Sequence, residues 1–189
     1  LPNRASTSTN AITVVENGEV QVLASHLQYT SVGASASDIE YEVTMAGNIT
    51  ILKNGTSIVS SNKATFTHDE LSSIKIKHTG KNLSSNGTVN LQFTVSDGTD
   101  TLSSLTFVVT VTAVNHPPVE VNKVNFEIYE KDTFTIPEAK LKYTDPESSV
   151  VTYTVTSTDM TADASSKFRI KVDGADQQAT ATFTSDDIS

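Results

Sequence analysis

The chain repeats itself over a long period. The stretch from Glu16 ends Phe66-Thr67-His68-Asp69-Glu70-Leu71-Ser72, and a second from Glu130 ends Phe183-Thr184-Ser185-Asp186-Asp187-Ile188-Ser189. Tyr29-Thr30 returns as Tyr143-Thr144 about 114 residues on, and Phe66-Thr67 as Phe183-Thr184 about 117 on. A long period with small drift means tandem domains of one fold, not a solenoid of short units. Arrays of this kind serve as spacers or binders, so the repeat weighs against an enzyme.

Within each copy the apolar residues alternate with polar ones. Leu91-Gln92-Phe93-Thr94-Val95 and Leu105-Thr106-Phe107-Val108-Val109-Thr110-Val111 show it in the first copy. Val124-Asn125-Phe126-Glu127-Ile128, Val151-Thr152-Tyr153-Thr154-Val155 and Phe168-Arg169-Ile170-Lys171-Val172 show it in the second. A period of two turns one face to a core and the other to water, which is the signature of a strand. Turn dipeptides separate the segments: Asn54-Gly55, Asn86-Gly87, Asp97-Gly98 and Asp173-Gly174. No helical stripe persists beyond a turn or two. The expected fold is all-β, two tandem seven-stranded Greek-key sandwiches.

Val114-Asn115-His116-Pro117-Pro118-Val119 marks the boundary, because paired prolines hold a short linker extended. The expected division is a leading linker at residues 1–11, a first repeat at 12–115 and a second at 116–189. The second copy stops at Ser189, where the first still has about 45 residues to run, including its two most regular strands. It is therefore read as incomplete: either the fragment ends early, or another segment supplies the strands.

Net charge sharpens the functional class. At −9 overall, about −3 before the proline pair and about −6 after it, the surface repels nucleic acid and anionic lipid and suits hard cations. No apolar run is long enough to span a bilayer and no signal peptide opens the chain, so any anchor or export signal is expected outside this segment. Cysteine is absent; the absence leans toward bacterial export or a fold stabilised without disulfides.

Several strings carry a family resemblance: Gly47-Asn48-Ile49, Phe66-Thr67-His68-Asp69-Glu70-Leu71, Ile74-Lys75-Ile76-Lys77-His78-Thr79-Gly80, Phe93-Thr94-Val95-Ser96-Asp97-Gly98 and Asn115-His116-Pro117-Pro118. In this order they resemble cadherin-like repeats, closest to the chondroitin sulfate proteoglycan type found in large bacterial surface adhesins. The resemblance implies extracellular or cell-surface tandem sandwiches, often stiffened by Ca²⁺ at the junctions. Carried over by position, it implies a metal set of Glu16, Asp69, Glu70, Asn115, Asp145 and Glu147, with Asp97 facing the opposite, N-terminal end of the first repeat. Ala113 and His116 stand where cadherins have linker Asp, and the first copy lacks a match to Asp145-Pro146-Glu147. Fewer anionic ligands mean weaker binding. The competing reading makes Asp145-Pro146-Glu147 a turn and the other acids solvated.

Other chemistry has little support. His26, His68, His78 and His116 lack metal-ligand spacing, and no nucleophile elbow or phosphate loop occurs. Adjacent acids such as Asp186-Asp187 would point to opposite faces of a strand. Four sequons, at Asn48, Asn54, Asn82 and Asn86, are about the number chance gives in so Ser/Thr-rich a chain. The recurring Tyr29, Tyr41, Tyr143 and Tyr153 are expected to pack in the core or at a corner and not to form a sugar-stacking platform. The expected function is a non-catalytic extracellular spacer or adhesion module. Its partners are neighbouring repeats of the same chain, with another protein or glycan as further candidates. The alternatives are a glycan- or protein-binding module and an accessory segment of a secreted hydrolase.

Overall fold

The computed structural model describes residues 1–125, 127, 129, 133–156, 170–172, 175–177 and 180–188. The chain divides into two compact units, Leu1–Val114 and Asn115–Ser189.

Unit 1 is a β-sandwich. Its strands are β1 (Asn3–Arg4), β2 (Ala11–Val15), β3 (Glu19–Gln21), β4 (Tyr29–Thr30), β5 (Glu40–Thr44), β6 (Ile49–Lys53), β7 (Thr56–Ser57), β8 (Lys63–Thr67), β9 (Ile74–His78), β10 (Gly87–Ser96) and β11 (Thr101–Thr112). One sheet has the order β2-β11-β10-β5-β8 and the other β3-β9-β6-β7, while β1 and β4 form a separate pair. All pairings are antiparallel except β2 with β11. Alternation decides which side chains go inward: Ile12 and Val14 on β2, Ile74, Ile76 and His78 on β9, and Leu91, Phe93 and Val95 on β10 are buried. The inward faces of both sheets merge into one core in which Tyr29, Tyr41, Phe66, Phe93 and Phe107 pack at tilted or edge-on angles. Full burial of each such ring contributes about 2–3 kcal/mol.

The first eleven residues are not a leading linker. Asn3 and Arg4 pair with Thr30 and Tyr29. Ser8 and Asn10 are buried, and the Asn10 amide donates to the Tyr29 hydroxyl at 2.9 Å. Polar residues with no alternation hide a strand this short, and here it is the buried tyrosine that anchors it.

Unit 2 contains β12 (Val119–Lys123), β13 (Leu141–Thr144), β14 (Thr152–Thr156), β15 (Lys171–Val172), β16 (Ala175–Asp176) and β17 (Thr180–Thr184). They pair as β12-β13, β14-β17 and β15-β16. The strand expected over 124–128 falls partly outside the described residues, as does the one over 168–172; the observed β12 instead follows the prolines directly.

The repeat is structural. Val119 and Glu120 face Thr144 and Tyr143 as Asn3 and Arg4 face Thr30 and Tyr29. Tyr153 faces Phe183 as Tyr41 faces Phe66. Tyr143 and Tyr153 meet edge-on at 6.1 Å and 71°, against 6.1 Å and 72° for Tyr29 and Tyr41. The Ser185 amide donates to the Val151 carbonyl at 2.8 Å, and the His68 amide to that of Ile39 at 2.8 Å. Both copies then turn through a capped 3₁₀ segment, with Glu70 accepting from the Thr67 amide and Asp187 from the Thr184 amide.

Candidate functional site

The acidic residues implied as metal ligands occupy distinct structural roles. Glu16 follows β2 and is 6% exposed. One carboxylate oxygen accepts the Leu83 amide at 3.2 Å and the other the Val114 amide at 3.1 Å. Its own amide donates to the Thr112 carbonyl at 2.8 Å. A buried carboxylate is stable when backbone N–H groups surround it, so Glu16 ties the β9–β10 loop to the segment leaving β11.

Asp69 and Glu70 lie elsewhere. Thr67 stands in one row with Glu40, Ser96 and Thr101, the first residue of β11. Glu16 adjoins Thr112, the last residue of β11. Eleven strand steps separate these rows, about 35 Å. Glu16 and the Asp69-Glu70 pair therefore cannot share one ion, and the six-residue set is not one site. Glu70 is paired with Lys53, which is the largest cause holding its carboxyl below the usual range; the Thr67 amide adds to it. Asp69 accepts the Thr67 hydroxyl. The resemblance to cadherin-like repeats implied one site; the strand register places Glu16 and the Asp69-Glu70 pair at opposite ends of unit 1.

At the Thr101 end, Asp97 closes the β10–β11 turn with its side chain 7% exposed. It accepts the Asp100 amide at 2.7 Å, the Ser31 hydroxyl at 2.6 Å and the Thr99 amide at 3.0 Å. These donors, the Asp100 amide foremost, hold its carboxyl far below the ordinary carboxylate range.

In unit 2, one Asp145 oxygen accepts the Glu147 amide at 2.9 Å and the Ser148 amide at 2.8 Å. That is the geometry of an Asx turn. Both Glu147 oxygens meet His116, one at its Nδ1 (2.7 Å) and one at its amide (3.2 Å). Asn115 is exposed and donates to the His116 carbonyl at 3.3 Å. His116, which stands where cadherin-like repeats have a linker aspartate, is thus the partner of Glu147. Its place just before the prolines was the available signal. Among the described residues, no group of three or more His, Asp or Glu side chains converges on a metal-sized space, and no helix is long and apolar enough to cross a membrane.

A depression of about 360 Å³ in unit 2 is lined by Tyr143, Thr144, Asp145, Val151, Ser185 and Asp186, among others. Comparison with protein-family models gives no match, and neither does comparison with curated proteins.

Proposed function

We propose that this chain is a non-catalytic spacer segment of an extracellular multi-repeat protein. One observation carries the reading: the parallel ladder of β2 on β11, in which Ala11 to Val15 face Val108 to Thr112. Tension enters unit 1 ahead of β2 and leaves it after β11. It pulls these neighbours in opposite directions along their axes, so the inter-strand hydrogen bonds bear load together instead of opening one by one. Glu16 adds a bond from the end of β2 to Val114, on the exit path. The tandem repeat, the acidic surface and the cadherin-like resemblance support an extracellular setting.

Single-molecule pulling on the chain between inert handles tests this. Unit 1 is expected to resist until one resolved event releases about 300 Å of contour length. Val108→Pro, which removes the amide that donates to the Asn10 carbonyl at 2.8 Å at the start of the ladder, is expected to lower that force clearly. Because the clamp is a hydrogen-bond ladder, EDTA and millimolar Ca²⁺ are expected to give the same force. Smooth extension with no unit 1 event would remove the spacer reading. A force that rises only with Ca²⁺ would move the load to a metal junction.

A further inference from the structure

The bonds internal to unit 1 run past the end of its last strand. β11 stops at Thr112, yet the next two amides are held. The Ala113 amide donates to the Asn86 side-chain oxygen at 2.9 Å, and the Val114 amide to Glu16 at 3.1 Å. Both acceptors are themselves fixed. Asn86 immediately precedes β10, and Glu16 is buried and also accepts the Leu83 amide. An amide captured by an acceptor that is already ordered is immobilised at little further cost in entropy.

Unit 2 takes up its own bonding at His116. The His116 amide and ring both meet Glu147, whose side chain is 12% exposed. Val119, just past the prolines, pairs with Thr144. Thr144 and Glu147 flank one turn, which Asp145 holds through the Glu147 and Ser148 amides. Pro117-Pro118 is therefore pinned at both ends to that turn, and its stiffness belongs to unit 2. Asn115 is left between the two sets of bonds. It is exposed, and the one hydrogen bond it makes runs from its side chain to the adjoining His116 carbonyl.

We propose that the chain carries a hinge confined to the backbone torsions of Val114 and Asn115. The peptide group joining Ala113 to Val114 moves with unit 1, because its N–H is held there. The group joining Asn115 to His116 moves with unit 2 for the same reason. The planar group between Val114 and Asn115 belongs to neither, so the φ and ψ of these two residues carry the motion. They are not equally free. Val114 is β-branched and kept to extended backbone, and the residue before Pro117 is restricted as well. Asn115 is of the type that also enters the left-handed region, as Asn10, Asn17, Asn54, Asn62 and Asn82 do. Hinges of this kind are a few residues at the ends of elements that absorb large φ and ψ changes. The inference stands apart from the spacer reading, since a binding module would be articulated in the same way.

The test is backbone ¹⁵N relaxation and amide exchange on the whole 189-residue chain, in EDTA and in millimolar Ca²⁺. The amides of Ala113, Val114 and His116 are expected to be as ordered as those of β11. The Asn115 amide should show lower order and exchange about tenfold faster than that of Val114. Glu147→Ala is expected to spread the mobility to His116 and leave Ala113 and Val114 unchanged. Asn86→Ala should quicken exchange at Ala113 and leave His116 unchanged. Resonances of β14 and β17 report whether unit 2 still folds in Glu147→Ala; if it does not, Asn86→Ala carries the test within unit 1. An Asn115 amide as rigid and slow as its neighbours overturns the proposal, as does mobility already present at Ala113 or His116 in the parent chain. Slowing of Asn115 to its neighbours' rate by Ca²⁺ overturns it in favour of a metal-stiffened junction. None of these readouts depends on the pulling experiment, so the two proposals fail separately.

Discussion

At the scale of single residues, Glu16 shows how a position matched by resemblance can have a structural role of its own. Its place after a strand and ahead of a turn is legible in the sequence. Its partners are not, because Leu83 and Val114 lie 67 and 98 positions away and are met through their backbones, which carry no side-chain signal. Glu16→Gln keeps size and one oxygen but presents an N–H₂ to one of the two amides. Unit 1 is therefore expected to lose about 2 kcal/mol, read by urea titration in EDTA. A pure metal-ligand role predicts no loss in EDTA and a loss only with Ca²⁺ present. His116 makes the complementary case: a residue that looked like a vacancy in a ligand set holds both oxygens of Glu147.

At the scale of elements, alternation located the strands whose inward face is continuous. Leu91, Phe93 and Val95 sit within β10, and Tyr153 and Val155 within β14, where the period of two placed them. The method failed where strands are too short or too polar to show a period. β1 is two polar residues, Asn3-Arg4, and only the register with Tyr29 and Thr30 reveals it. The same blindness left the register unread, and with it the separation of Glu16 from Asp69 and Glu70, since sequence order does not say which end of a sandwich a loop occupies. The reassignment of residues 1–11 is testable by removing residues 1–7. This strips β1 and the bond from the Ala5 amide to the Gln28 carbonyl. It also leaves the β4 backbone unpaired on that side. The loss is expected to be about 2 kcal/mol in unit 1, measured as a lower urea midpoint with little change in slope. A free linker would be removed without effect.

At the scale of the whole molecule, the two units share a pairing pattern, and their described residues differ in burial. Unit 1 merges 22 buried side chains from two sheets into one cluster. The described part of unit 2 buries Val151, Ala181 and Phe183, while Val119 and Val121 on β12 remain 55% and 56% exposed. Hydrophobic stabilisation scales with the apolar area removed from water, and the entropy of ordering scales with the residues fixed, so a unit with few buried side chains stands close to its unfolding threshold. Urea is therefore expected to unfold the chain in two steps, unit 2 at low denaturant and unit 1 at clearly higher concentration. Amide exchange provides the assignment, with β14 and β17 exchanging early and the central strands β5, β10 and β11 last. One coincident transition at all probes would overturn this expectation and mean that unit 2 is as stable as unit 1 despite the low burial of its described residues.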